Sequence, residues 1–219
     1  MSSAAGLRLC VVISGRGSNM LTIARACASG TINASVALVI ADRPEAGGIS
    51  AARELGLPVR VIAAREYGER AAFEAALREA IDASGAQLVV LAGFMRVLSP
   101  ALAAHYAGRM LNIHPSLLPL YPGLHTHERV LAAGDAQHGC SVHYVTGVLD
   151  GGPLVMQARV PVLPGDTPDS LSARVHQQEH IIYPEVIGLI AAGRLRLRGE
   201  TPMLDGQALR EPLIRGGCR

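Results

Sequence analysis

Leu9-Cys10-Val11-Val12-Ile13-Ser14-Gly15-Arg16-Gly17-Ser18-Asn19 decides how the chain is read. Residues 9–13 form a short apolar run with no alternation of polar and apolar positions, the pattern of a strand buried on both faces. Two glycines then permit a tight turn. Residues 19–29 continue as an alanine-rich helical pattern stopped by Gly30. Strand, glycine turn and helix together open a parallel α/β unit.

The same rhythm extends along the chain. Residues 35–41, 87–92 and 110–113 are further buried strands, and 59–62 is a weaker one. Helical patterns occupy 48–55 and 65–83, the latter ending before Gly85. The expectation is an α/β fold: an open, mainly parallel twisted sheet with right-handed crossovers and helices on both faces. After Pro122 the pattern changes. A helix is expected over 124–133, followed by extended runs at 139–146 and 154–160 joined through Asp150-Gly151-Gly152-Pro153. That pair predicts an antiparallel addition in the C-terminal part. Thr167-Pro168 opens a long helix to about residue 192. Residues 209–219 read as a loose tail. With no repeat and no linker, the 219 residues are expected to form a single domain with halves at about 8–105 and 106–208.

Composition removes whole classes of chemistry. All 20 Lys+Arg positions are arginine. Without lysine there is no Walker-type phosphate loop and no Schiff-base chemistry. A net charge of +2 is too small to indicate nucleic acid or an anionic membrane as partner. No apolar run is long enough to span a bilayer, and the first residues lack the basic-then-apolar order of a secretory signal. Cys10, Cys27, Cys140 and Cys218 show no framework spacing and read as thiols in a reducing compartment. The expected location is cytoplasmic.

Three features carry chemistry. Ser14–Asn19 joins a strand end to a helix start, where glycines let backbone amides and the positive dipole end approach an anion. It is not a dinucleotide fingerprint, because the third glycine of that pattern falls on Met20. An ordinary tight turn capped by Ser18 is the alternative. Asn112-Ile113-His114-Pro115 ends a buried strand, where open α/β sheets place their ligands. Asn112 and His114, two apart, share one face, and Pro115 keeps His114 extended. Two polar side chains there are costly unless they are satisfied. Asp150, read alone, is an ordinary turn aspartate; its interest depends on proximity to His114, which the sequence does not show.

A metal reading fails on geometry. His138 and Cys140 have one strand parity and His143 the other, while His125 and His127 lie in a different segment. No CxxC or HExxH spacing is present. His176 and Glu179, three apart in the last helix, share a face that reads as solvated. Residues 93–98 either line a pocket or form a loop leading to Ser99-Pro100.

At this point the blocks ISGRGSN (13–19), LAGFMRVLSP (91–100), NIHPSLLPLYPGLHTH (112–127), HGCSVHYVTGVLDGGP (138–153) and QEHIIYP (178–184) can be taken together. In this order the chain, from about residue 8 to residue 209, resembles the phosphoribosylglycinamide formyltransferase family, the folate-dependent glycinamide ribonucleotide transformylases. The resemblance implies a Rossmann-like, formyltransferase-type fold with a phosphate-binding first half and a folate and catalytic second half. It implies transfer of a formyl group from 10-formyltetrahydrofolate, a co-substrate, to the amine of glycinamide ribonucleotide in purine biosynthesis, without a metal. On the family pattern Asn112, His114 and Asp150 are catalytic. Gly17, Ser18, Asn19, Pro115, His176 and Glu179 bind the ribonucleotide. Arg70, Met95, Arg96, Val97 and Leu98 bind the folate with Asn112 and Asp150. His176 departs from the pattern, where close relatives can carry glutamine. Partners are small molecules, with neither nucleic acid nor membrane; a homodimer is compatible with the sequence.

The residues suit that chemistry. An amine attacking a formyl carbon places negative charge on the formyl oxygen, where the Asn112 amide and a protonated His114 are expected to donate. Asp150 nearby favours the imidazolium. Transfer to tRNA predicts an additional C-terminal domain, and hydrolysis predicts an additional N-terminal module; neither is expected in this chain. A non-catalytic sugar-phosphate-binding module needs the glycine loop but has no use for Asn112, His114 and Asp150 together.

Overall fold

The computed structural model describes residues 6–216. Cys218 and the final residues of the expected tail lie outside them. The chain divides into two compact units between Leu111 and Asn112.

In the first unit β1 (Leu7–Ile13), α1 (Ser18–Ala28), β2 (Ala34–Ala41), α2 (Gly48–Glu54), β3 (Val59–Val61), α3 (Arg70–Ala83), β4 (Leu88–Leu91) and α4 (Pro100–His105) follow in order. β1 pairs in parallel with β2 and β4, and β2 in parallel with β3, so the strand order is β4-β1-β2-β3. The chain steps one way from β1 to β3 and then crosses back to β4. Right-handed crossovers therefore put α1 and α2 on one face and α3 on the other. Leu9, Cys10, Val11, Val12 and Ile13 are fully buried, as an apolar strand covered on both faces should be.

β5 (Met110–His114) leads into the second unit. There α5 (Thr126–Ala133), β6 (Gln137–Tyr144), β7 (Leu154–Pro161), α6 (Pro168–Ala191), β8 (Leu195–Arg198), β9 (Thr201–Leu204), β10 (Gln207–Ala208) and β11 (Leu213–Arg215) follow. The strand order is β11-β7-β6-β5. β6 and β7 are the expected antiparallel pair. A mainly parallel α/β fold with antiparallel additions towards the C-terminus is thus what the chain forms. α6 starts where Thr167-Pro168 predicts. The Thr167 side chain accepts from the Ser170 amide at 3.2 Å, and the Ser170 hydroxyl accepts from the Thr167 amide at 3.0 Å, a reciprocal cap.

Several boundaries differ from expectation. Leu213–Arg215, placed in a loose tail, forms β11 in parallel register with Met156–Ala158 of β7. The helix expected from residue 65 begins only at Arg70. Ala64–Glu66 is a separate 3-10 turn, and Tyr67 and Glu69 are extended on either side of Gly68. α5 begins two residues late, because His125 has φ +58°, a left-handed conformation that a helix interior does not accept. α4 and the small antiparallel sheet β8-β9-β10 were not expected. The start of α4 is a recognisable signal: Ser99 accepts from the Leu102 amide at 3.2 Å, and Pro100 takes the first turn.

Among the described residues, no helix is long and apolar enough to cross a membrane. Cys10, Cys27 and Cys140 are free thiols, and burial pushes Cys10 up to about 12.

α5 packs on β6 through a histidine pair, with His127 Nδ1 at 2.9 Å from His138 Nε2. Burial holds His138 down to about 4, and the neighbouring charge of His127 adds to the effect. His127 and His180 are lowered chiefly by burial as well. The unfolded chain takes up these protons near pH 6.5, whereas folded His138 resists until about pH 4. This contribution to stability is complete above about pH 6.5 and is lost as pH falls towards 4. For His138 it is on the order of 2–3 kcal/mol. Melting temperatures between pH 7.5 and 4.5 should therefore fall more steeply for the wild type than for His138→Gln. Equal slopes would refute the assignment.

Candidate active site

β5 delivers Asn112 and His114 to one face of its strand end, as their spacing requires. His114 is buried and lies between two acceptors. Nδ1 faces Asp150 Oδ2 at 3.4 Å, and Nε2 faces the Tyr121 carbonyl oxygen at 2.9 Å. A carbonyl oxygen can only accept, so Nε2 carries a hydrogen. A neutral ring would then turn the bare Nδ1 lone pair towards a carboxylate. The protonated ring satisfies both neighbours.

Asp150 reaches this position through backbone strain. Its φ is +50°, and the loop returns through Gly151-Gly152-Pro153 into β7. Its carboxylate, 8% exposed, accepts from the Gly123 amide at 2.8 Å. The structure thus brings Asn112, His114 and Asp150 into one cluster.

Sequence reasoning missed three members of that cluster. Tyr121 is left-handed at φ +53°. Its hydroxyl donates to Asp135 at 2.6 Å, and the Arg129 guanidinium lies 5.2 Å from its ring centroid. Held at both ends, Tyr121 directs its carbonyl at His114. Gly123 supplies the amide for Asp150. His143, on β6, puts Nε2 at 3.2 Å from Asn112 Nδ2 and 3.9 Å from Asp150 Oδ1. Its signal in the sequence is strand parity: His143 has the opposite parity to His138 within one extended run.

The loop from Pro115 to Pro122 is fastened from below. The Ser116 hydroxyl donates to the Leu120 carbonyl at 2.6 Å, and that of buried Ser141 to the Ser116 carbonyl at 2.7 Å. Gln157 Nε2 donates to the Leu118 carbonyl at 2.7 Å. His176 and Glu179 lie on α6, with 3.9 Å between His176 Nε2 and Glu179 Oε2, and the His176 ring stacks on that of His180. His127 feels the charges of both His176 and His114.

The glycine loop belongs to the first unit. Gly17, at φ +74°, is itself the N-cap of α1 and makes no side-chain cap bond, and the first turn holds no acid. The alternative of a turn capped by Ser18 is therefore not what forms. Gly48 packs so closely that a Cβ there would lie 2.5 Å from Ile13 Cδ1 and 3.1 Å from Gly17 Cα. Met95 is tied to this loop, its amide donating to Ser14 Oγ at 2.9 Å. Arg96 donates to buried Asp42 at 2.7 Å and lies over Phe73. Leu98 is buried, while Met95 and Val97 are 61% and 55% exposed. Arg70 donates to Glu74 at 2.8 Å. Burial alone would raise the Glu74 carboxyl, but bonds from Ser99 and Arg70 more than offset it and hold it below the usual range. Among the described residues no cluster of three or more His, Cys, Asp or Glu is placed to hold a metal ion.

Residues 7–187 match the family described as Formyl transferase. The chain is 49% identical over 203 residues to the phosphoribosylglycinamide formyltransferase of Escherichia coli (strain K12), covering 93% of this chain and 96% of that protein. It is 42% identical over 202 residues to the protein of the same name from Haemophilus influenzae, covering 92% and 95%. The solved phosphoribosylglycinamide formyltransferase of Coxiella burnetii superposes with a TM-score of 0.90 at 47% identity, covering 95% of this chain and 99% of that one.

The two glycines after Asp150 differ in what they tolerate. A Cβ on Gly152 would lie 1.8 Å from the Tyr144 carbonyl oxygen, in backbone that cannot yield. One on Gly151 would meet Val148 Cγ1 at 2.6 Å, on a side chain that is 68% exposed and free to turn. Gly152→Ala should therefore destabilise by about 1–3 kcal/mol in denaturant melts. Gly151→Ala should cost clearly less, and the reverse order would show that the Asp150 loop is packed differently.

Proposed function

The chain belongs to the formyl transferase family, and from that membership and the Asn112–His114–Asp150 cluster we propose that it moves a formyl group from 10-formyltetrahydrofolate to the amine of glycinamide ribonucleotide. The observation that carries the reading is His114, buried and held between Asp150 and the Tyr121 carbonyl, beside the Asn112 amide. A binding module has no use for a buried imidazolium next to an amide donor. A formyl transferase has one, because the carbonyl oxygen gains negative charge as the amine attacks.

The folate supplies the formyl carbon and the nitrogen from which it departs. Asn112 donates one amide N–H to the formyl oxygen. His114 donates through Nδ1: its 3.4 Å contact with Asp150 is longer than an ordinary hydrogen bond, so this N–H is the one left available to an incoming oxygen. The shorter Tyr121 contact holds the other nitrogen. Asp150 Oδ2 faces the Nδ1 N–H and balances the charge a protonated ring carries. The proton lost by the attacking amine reaches the departing nitrogen through His114 or water.

We assign the ribonucleotide phosphate to the amides of Gly17, Ser18 and Asn19, where the uncapped helix start suits an anion. Glu179 and His176, with Pro115, are assigned to the sugar and glycinamide portions. For the folate, Arg70, Met95, Arg96, Val97 and Leu98 are the binding residues with Asn112 and Asp150. Exposed Met95 and Val97, like exposed Val148 and Leu149 beside Asp150, offer apolar surface of the kind a pterin ring covers. Cytoplasmic location accords with this role.

The test is formyl transfer from 10-formyltetrahydrofolate to glycinamide ribonucleotide, measured beside water and tRNA as acceptors. Transfer should be confined to the ribonucleotide; comparable rates with another acceptor would overturn the assignment. His114→Ala should lose at least about a hundredfold in kcat, with ribonucleotide affinity within a few-fold of wild type. Asp150→Asn, which retains an acceptor for the Gly123 amide, should stay folded and lose kcat. Unimpaired kcat with weakened binding in His114→Ala would reduce the histidine to a binding role.

A further inference from the structure

His143 has no role in the scheme above, yet it touches Asn112 and faces Asp150. Only 3% of its side chain is exposed. Nδ1 lies 2.9 Å from the Tyr144 carbonyl oxygen, and since a carbonyl only accepts, Nδ1 carries a hydrogen. Burial pushes the ring below the usual histidine range, and the His114 charge adds to this. The Tyr144 bond and Asp150 pull the other way without offsetting it. A neutral imidazole protonated at Nδ1 has a bare lone pair at Nε2. That lone pair meets Asn112 Nδ2 at 3.2 Å.

The consequence falls on Asn112. A carboxamide has a donating end and an accepting end of nearly the same size, and nothing in its shape selects between them. Presented with its oxygen forward, Asn112 would repel the oxygen that gains charge in transfer. A lone pair at His143 Nε2 accepts only from the amino group, which fixes the amide in one orientation. One N–H is then held by His143, and the second is left as a donor. We propose that His143 is a positioning residue whose bare Nε2 sets the orientation of the Asn112 amide and so keeps an N–H directed to the formyl oxygen. A proton on Nε2 would reverse the preference and draw the Asn112 oxygen to His143. Asp150 Oδ1, at 3.9 Å, is the group that favours such a proton; His114 and burial oppose it.

This inference rests on the formyl-transfer reading for its consequence but not for its geometry, so it has a readout of each kind. In the wild-type protein, 15N NMR of the imidazole nitrogens should show His143 protonated at Nδ1 and bare at Nε2 at neutral pH. An Nε2-protonated ring would overturn the proposal whatever the enzyme's activity. In kinetics, His143→Asn keeps a donor near the Tyr144 carbonyl and removes the acceptor for Asn112. His143→Gln places an amide oxygen near the former Nε2. We expect kcat to fall about tenfold or more in His143→Asn, with KM for both substrates within about twofold. Most of the loss should be restored in His143→Gln. In an Asn112→Ala background, His143→Asn should cost less than about twofold further, because the group it positions is gone. A KM effect alone, full additivity with Asn112→Ala, or equal losses in two folded His143 variants would each overturn it. A wild-type protein that transfers no formyl group to the ribonucleotide would refute the functional reading and leave the NMR result to decide the geometry.

Discussion

A buried imidazole with an acceptor at each nitrogen is the constraint on which the surrounding structure depends. His114 needs a carbonyl at Nε2 and a carboxylate near Nδ1, and both come from strained backbone. Tyr121 and Asp150 are left-handed at φ +53° and +50°, conformations that cost a non-glycine residue of order 1 kcal/mol or more. They persist because each is held more than once. Tyr121 is fixed through its hydroxyl by Asp135 and through its ring by Arg129. Asp150 is fixed by the Gly123 amide and by the glycine return against Tyr144. Gly123 follows Tyr121 by two residues, so one loop feeds both sides of the histidine: a carbonyl to its ring and an amide to its carboxylate partner.

Two imidazoles within 4 Å of the same carboxylate are given different hydrogen-bonding surroundings by their remaining neighbours. The far nitrogen of each faces a carbonyl, and each must be protonated there. What differs is the near nitrogen. His114 meets a carboxylate oxygen at 3.4 Å, a group that only accepts. His143 meets the Asn112 amino group at 3.2 Å, is farther from Asp150 at 3.9 Å, and would lose an acceptor by taking a second proton. Giving two adjacent rings different partners in this way lets a site draw a donor and a fixed orientation from a single residue type.

Some of this was legible in the residues and some could not be. The continuous apolar character of residues 9–13 gives β1, because a strand buried on both faces has no polar alternation to show. Thr167-Pro168 gives α6, because a cap and a first-turn proline are local chemistry. Asn112 and His114 share a face by strand periodicity alone. Asp150 could not be joined to them from spacing, since the contact closes 36 positions along the chain through a loop whose path is set by tertiary packing. Tyr121 was hidden for another reason: it acts through its carbonyl, a group every residue has, in a backbone conformation that tyrosine does not announce. β11 escaped because Leu213–Arg215 has too few residues to declare a strand and forms one only by pairing with β7.

The lysine-free composition acquires a structural meaning at the glycine loop. A phosphate held by a lysine is neutralised by a mobile ammonium, and the backbone around it can be arranged in many ways. Here the amides at the start of α1 face no side-chain cap and no acid, and the turn is drawn tight by Gly17 against Gly48. The Gly48 amide donates to the Gly15 carbonyl at 3.0 Å, which takes that carbonyl up within the protein. Replacing Gly48 by any residue with a Cβ would push Ile13 or the Gly17 backbone away and misalign the very amides an anion would use. In a chain without lysine, recognition of an anion at this loop would rest on backbone geometry, and so on close glycine packing, more than on net charge.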